Sequence, residues 1–232
     1  MNAELPTRAA VARLHAPRDL RFSDEALAPC GPDELLCQTL VSVISPGTEL
    51  AAYTGMPPLR DGPAYPRLQG YCNVARILAC GSAAGRSFAV GQRILSFQSH
   101  RSHFVIPAEQ VLLVLPERAD SRAAATTYLF HLGYNAVLRG GVRAGSRVLV
   151  IGLGALGLTS VAAAAMAGAE VRAISAHAAA QQRGRRMGAE VVFDRENGAA
   201  ACAAWADVVV ATTNAWTDWL TALASTDRKS VV

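Results

Sequence analysis

The stretch Arg147-Val-Leu-Val-Ile-Gly152-Leu-Gly154-Ala-Leu-Gly157 constrains this chain more than any other. A run of apolar residues reads as a buried strand. A glycine turn with the spacing G-x-G-x-x-G follows, and then an Ala-rich stretch that reads as a helix. Gly152 permits a tight turn off the strand. Gly154 lets backbone come close to a ligand, and Gly157 lets the helix lie close on the sheet. Free N–H groups at a helix start attract anions. The pattern therefore predicts a cradle for a dinucleotide pyrophosphate, made of Gly152, Leu153, Gly154, Ala155, Leu156 and Gly157. A bare G-x-G-x-x-G occurs by accident in a glycine-rich chain; strand, turn and helix in that order make this one specific.

Downstream the chain alternates. Leu158–Ala167 reads as helix, Val171–Ser175 as strand, Ala178–Met187 as helix and Val191–Phe193 as strand. A helix is expected within 199–205, a fourth strand at Asp207–Ala211 and a last helix at Trp216–Ser225. Strands alternating with helices imply right-handed crossovers and a parallel sheet. A complete dinucleotide fold has six strands; about four are visible, so this α/β domain is expected to be incomplete at its C-terminal end.

Upstream the character is different. Ala9–Leu14, Leu35–Ile44, Asn73–Ala79, Arg93–Phe97, His103–Ile106 and Val111–Leu115 are short β-rich runs punctuated by Gly and Pro. They suggest a small irregular β-barrel. Ser45-Pro46-Gly47-Thr48-Glu49 interrupts it, with Ser45 as candidate N-cap, Pro46 at the first helical position and Gly55 as the stop. From about Ser121 the pattern turns helical, through Ala123 to Leu138. The expected organisation is a β-rich domain over 1–121 and a dinucleotide-binding domain over 122–232.

Hydrophobic residues make up 51% and charged residues 17%, enough apolar material for a core. The net charge is +4, but the arginines are scattered rather than gathered in a stripe, which speaks against nucleic acid as partner. The five cysteines are odd in number and form no C-x-x-C pair. That fits free thiols in a reducing, cytoplasmic setting. There is no signal-peptide pattern and no apolar run long enough for a membrane span, so no membrane partner is expected.

Together these features resemble the medium-chain dehydrogenase/reductase superfamily, with its GroES-like first domain and Rossmann second domain. Tyr65-Pro66…Gly70-Tyr71-Cys72 matches a P…G-H-E segment, Val90-Gly91-Gln92-Arg93-Ile94 a V-G-D-R-V segment, and Leu132-Gly133-Tyr134 a T-G-Y segment. The resemblance implies a nicotinamide-dependent oxidoreductase acting on a small-molecule substrate, with a homo-oligomer compatible. The family's catalytic zinc ligands fall on Pro46, Tyr71 and Tyr128 here, and its four-cysteine lobe is missing. Proline has no donor atom and neutral phenols do not replace thiolate and imidazole. The chain thus resembles the zinc-independent S-x-G-T-E subgroup, and no metal is expected. His100 and His103, spaced H-x-x-H in a strand or turn, face opposite sides and lack a third ligand; they read as surface or cleft histidines.

An NAD site usually carries an acid at the end of the second strand, on the ribose hydroxyls. Ser175 holds that position, and His177 and Arg183 lie close in sequence. This favours NADP over NAD; the alternative is that Arg183–Arg186 is a solvated helix face. Thr212, after the fourth strand, completes the cofactor set. Without zinc, Thr48, Tyr71 and Tyr128 are the candidate proton donors or substrate partners. Alternatively, Thr48 only supports a helix start and Tyr128 only packs with His131 and Tyr134. Reduction of an activated C=C bond, as by quinone or enoyl reductases, and a dinucleotide-binding protein without turnover remain open beside alcohol/carbonyl chemistry.

Overall fold

A computed structural model describes residues 4–56 and 64–226. The chain divides into two compact units, Met1–Thr127 and Tyr128–Val232.

The first unit is built on two antiparallel sheets. Strands β1 (Arg8–Ala16), β2 (Asp19–Ala26) and β4 (Arg67–Leu68) form one, in the order β2-β1-β4. The other runs β7-β3-β5-β6-β8, from β3 (Glu34–Ser42), β5 (Asn73–Cys80), β6 (Arg93–Ser96), β7 (His103–Pro107) and β8 (Leu113–Val114). The core gathers Leu35, Cys37, Ala75, Ile77, Ile94, Phe104 and Ile106. β3 is paired on both edges, by β5 and β7. Its Leu35-Leu36-Cys37 run is wholly buried, as a strand covered on both faces requires.

β2 had no hydrophobic signature. Asp19-Leu-Arg-Phe-Ser-Asp-Glu-Ala turns almost nothing to the core, since β2 is an edge strand with a solvated outer face. Its register comes from the turn at Arg18 (φ 63°) and from pairing with β1 along nearly its whole length. Charges reinforce that register: Arg8–Asp24 at 2.6 Å and Arg13–Glu25 at 3.0 Å.

Helix α1 spans Pro46–Thr54 and stops at Gly55, which is left-handed at φ 73°. Ser45 is the N-cap, as expected, although its side chain makes no cap bond. Glu49, four residues on, reaches back instead: its carboxylate accepts from the Ser45 N–H at 2.8 Å. The single helix expected over Ala123–Leu138 is in fact two, α2 (Ser121–Ala125) and α3 (Thr127–Arg139). Asp120 caps α2 through the Ala123 N–H. The Thr126 hydroxyl then donates to the Ala123 carbonyl at 2.7 Å, so side chain competes with backbone where the helices part.

The second unit is a four-stranded parallel sheet in the order β11-β10-β9-β12: β9 (Arg147–Ile151), β10 (Glu170–Ile174), β11 (Val191–Phe193) and β12 (Val208–Ala211). Helices α4 (Ala155–Met166), α5 (Ala178–Arg186), α6 (Arg195–Ala201) and α7 (Trp216–Ser225) join or follow them. Val148, Leu149 and Val150 are fully buried, as a central parallel strand needs. α6 begins before the stretch 199–205 where a helix was expected, because the Asp194 carboxylate caps it through the Asn197 N–H at 2.8 Å. α3 and α4 touch at Gly133, where an added Cβ would stand 2.5 Å from the Thr159 backbone. No helix among the described residues is long and apolar enough to cross a membrane.

Candidate functional site

The glycine turn is held from both sides. Gly152 has φ +91°, and a Cβ there would stand 2.4 Å from Thr213 Cγ2. A Cβ on Gly157 would stand 1.8 Å from the Gly152 carbonyl oxygen. Thr212 donates its hydroxyl to that same carbonyl at 3.0 Å, tying the end of β12 to the turn. Gly154 is different: a Cβ there would meet nothing within 4 Å. It is the N-cap of α4 and offers no side chain to satisfy the first N–H groups of the helix. The open side of the turn is therefore also its electropositive side.

That side faces a cavity of about 480 Å³ lined by Gly152, Leu153, Gly154, Ser175, His177, Arg183 and Thr212. Seven of the ten residues read from sequence as cofactor-binding thus share one cavity; Ala155, Leu156 and Gly157 form the first turn of α4 beside it. Ser175 is buried and receives the His177 N–H on its hydroxyl at 3.4 Å. Of the arginines at 183, 185 and 186, only Arg183 reaches the cavity; Arg185 donates to the Val192 carbonyl at 3.1 Å.

Three further polar residues line the cavity that sequence reasoning missed: Arg195, Thr213 and Asp218. Asp218 is 2% exposed. One of its oxygens accepts from Arg195 Nη2 and from the Thr213 hydroxyl, each at 2.5 Å. Arg195 had a signal, since it follows β11 at the C-terminal edge of the sheet, where ligands bind. Asp218, in the first turn of α7, had none. The Arg195 charge is matched by Asp218. Arg183 has no ion-pair partner among the described residues, so the unmatched positive charge at this cavity is its own.

The first unit has its own polar cluster. Glu49, 5% exposed, accepts from the Ser45 N–H and, on its other oxygen, pairs with His100 Nε2 at 2.8 Å. His100 Nδ1 pairs with the Ser42 hydroxyl. Gln69 donates to the Glu49 carbonyl at 3.0 Å. His100 is a cleft histidine, with its side chain 17% exposed and both ring nitrogens engaged. His103 lies at the start of β7 with its Nδ1 against the Ser102 hydroxyl at 3.1 Å. Glu49, Gln69 and His100 form one wall of a cavity of about 360 Å³ whose other walls are Leu20, Ile44, Pro46, Leu50 and Tyr53.

Thr48 is exposed on α1 and Tyr71 is buried, both in the first unit; Tyr128 opens the second. The Tyr128 ring stacks on His131, centroids 6.3 Å apart. All five cysteines are free, and burial pushes the Cys37 thiol up to about 12. Among the described residues no group of three or more His, Cys, Asp or Glu side chains is arranged to hold a metal ion.

Residues 121–218 match the family profile of the alanine dehydrogenase/PNT C-terminal domain. No curated relative matches the chain. Among solved structures, a putative zinc-binding dehydrogenase from Sinorhizobium meliloti 1021 bound to NADP superposes with a TM-score of 0.83 at 21% identity, over 95% of this chain and 75% of that one. Acetophenone reductase from Geotrichum candidum NBRC 4597 in complex with NAD gives 0.84 at 17% identity, over 97% and 74%. A quinone oxidoreductase of Pseudomonas syringae pv. Tomato DC3000 gives 0.77 at 20% identity, over 94% and 70%. The chain therefore has the fold of these dehydrogenases and reductases, a GroES-like β unit followed by a Rossmann parallel sheet.

Proposed function

We propose that the chain is a zinc-independent oxidoreductase that uses NADP to interconvert an alcohol and a carbonyl compound. The observation that carries this reading is one cavity of the second unit, where an open glycine cradle meets Ser175, His177 and Arg183. The residues fit a phosphorylated dinucleotide. The start of α4 supplies N–H groups to the pyrophosphate. Ser175 supplies a small hydroxyl where an acid would repel a 2′-phosphate, the Arg183 side chain supplies positive charge to it, and His177 a ring N–H donor.

Bound nicotinamide supplies hydride transfer; the protein supplies orientation and a proton path. Thr48, Tyr71 and Tyr128 are the groups we assign to that path, as hydroxyl donors to a carbonyl oxygen or acceptors from an alcohol. The donor chemistry at the positions matching the family's zinc ligands does not fit zinc: Pro46 has no ligand atom, and Tyr71 and Tyr128 are phenols.

Titrating the chain with NADPH and NADH, and then following cofactor oxidation with an aryl ketone and with an enone, tests the reading. Tighter binding of NADPH and an alcohol product from the ketone are expected. Equal or tighter binding of NADH overturns the cofactor. Saturation of the enone C=C bond with no carbonyl reduction moves the activity to the quinone and enoyl reductases. Cofactor binding with no turnover of either compound makes this a dinucleotide-binding protein instead.

A further inference from the structure

The Glu49–His100–Ser42 cluster has no part in the chemistry described so far, yet it joins three separate segments. Ser42 ends β3. Glu49 lies on α1. His100 lies between β6 and β7 and is anchored by its own backbone: its N–H donates to the Gln69 carbonyl at 2.8 Å, and its carbonyl accepts from the Ala12 N–H at 2.9 Å. The imidazole also packs flat against the chain at Gly70. A Cβ at residue 70 would stand 2.6 Å from three ring atoms, and Gly70 has φ +89°. Ring and glycine are thus fitted to each other immediately before Tyr71.

The hydrogen bonds fix the state of the ring. An ionised Glu49 carboxylate only accepts, so His100 Nε2 must carry a hydrogen. Nδ1 is then bare in the neutral ring and accepts from the Ser42 hydroxyl. In the protonated ring Nδ1 carries a hydrogen as well, and the same hydroxyl turns round and accepts. Both contacts survive a change of charge, because a serine hydroxyl can donate or accept and an apolar neighbour could do neither. This differs from a group poised to release a proton to a ligand, since neither ring nitrogen is left over.

We propose that His100 is a positioning residue for the reaction assigned above, and the proposal rests on that assignment. Clamped between Glu49 and Ser42, it holds the start of α1, which carries Thr48, and the Gly70–Tyr71 turn in one fixed arrangement. Two of the three hydroxyls in the proton path therefore take their placement from one imidazole.

The test combines kinetics, cofactor binding and amide hydrogen exchange on the 232-residue chain and on the variants His100→Ala and Ser42→Ala. For His100→Ala, kcat is expected to fall at least about tenfold while NADPH affinity, set in the second unit, stays within about twofold. Exchange at the hydrogen-bonded amides of Ser45, Glu49 and Gln69 should quicken by at least about tenfold, with Leu35 and Ile77 in the core unchanged. Ser42→Ala removes one contact and keeps the ring, so it should show the same pattern at smaller amplitude. In the intact chain, imidazole nitrogen shifts should report hydrogen on Nε2 in the neutral ring. A kcat within about twofold of the parent in His100→Ala overturns the proposal. So does unchanged exchange at Ser45, Glu49 and Gln69, whether or not the chain turns over. A parent chain that binds NADPH but reduces nothing overturns the assigned function separately, and with it the catalytic purpose of the clamp.

Discussion

Asp218 and Arg195 meet at 2.5 Å on the wall of the cavity beside the glycine turn, from the first turn of α7 and the start of α6. The carboxylate is 2% exposed whereas the Arg195 side chain is half in solvent. The pair is asymmetric, so the two deletions differ. Asp218→Ala releases Arg195 to water and strips the Thr213 hydroxyl of its acceptor, at a cost of about 1–3 kcal/mol. Arg195→Ala leaves a nearly buried carboxylate with only Thr213 and costs more, about 3–5 kcal/mol. Urea denaturation of the two variants should rank them in that order.

The glycine turn yields a contrast within three residues. At Gly157 a Cβ collides with the Gly152 carbonyl at 1.8 Å, so Gly157→Ala should destabilise the second unit by about 1–3 kcal/mol or more. At Gly154 a Cβ meets nothing, so Gly154→Ala should leave stability within about 0.5 kcal/mol. It nevertheless puts a methyl group on the open side of the cradle. Thermal melts and NADPH titration together should show a stable protein whose affinity has dropped by about tenfold or more, some 1.4 kcal/mol.

Arg183 is the arginine of its helix that reaches the cavity. Arg183→Ala should weaken NADPH by about 1.5–3 kcal/mol, the worth of a hydrogen bond to a charged group, and leave NADH nearly unchanged. Ser175→Asp should act in the opposite sense, repelling the 2′-phosphate and offering ribose hydroxyls an acceptor. Cofactor titrations on both variants measure the change of preference.

Two carboxyls of the second unit add acid sensitivity. Hydrogen bonding from the Arg147 side chain lowers the Asp207 carboxyl, and the Asn197 backbone N–H lowers that of Asp194. A folded-state pKa below the unfolded one contributes stability that is present above the unfolded value, about 4. It is lost as pH falls through the folded value. Asp207→Asn should therefore reduce stability at neutral pH and flatten its decline below about pH 4, as read by denaturation at several pH values.

Thiol chemistry should separate the cysteines. Cys37 is fully buried with its thiol pushed up to about 12, so it should resist alkylation at pH 8 until the first unit unfolds. Cys30 and Cys80 are raised by burial too but are partly exposed, and should be labelled first. Mass spectrometry of timed iodoacetamide reactions gives the order.

What the sequence made legible followed from how strongly each element depends on local pattern. β9 through α5 were legible because a buried parallel strand is continuously apolar and a glycine turn has few meanings. Seven of the ten residues expected to bind a cofactor line one cavity. β2 was not legible, because an edge strand with a polar outer face is defined by its partner. The break between α2 and α3 depends on how one hydroxyl at Thr126 chooses its acceptor. Asp218 and the Glu49–His100 pair were out of reach because they join residues 23 and 51 positions apart in the chain. Only packing brings such groups together, and neither pair leaves a periodic trace.

The fit between Gly70 and the His100 ring has a consequence for how this sequence can vary. No side chain enters position 70 while the imidazole stays, and a small residue at position 100 opens space without relieving the left-handed backbone. The two sites are therefore epistatic in one direction: substitution at 100 must come first, and substitution at 70 remains strained even then. In a deep mutational library the glycine should stand out as the less replaceable of the two.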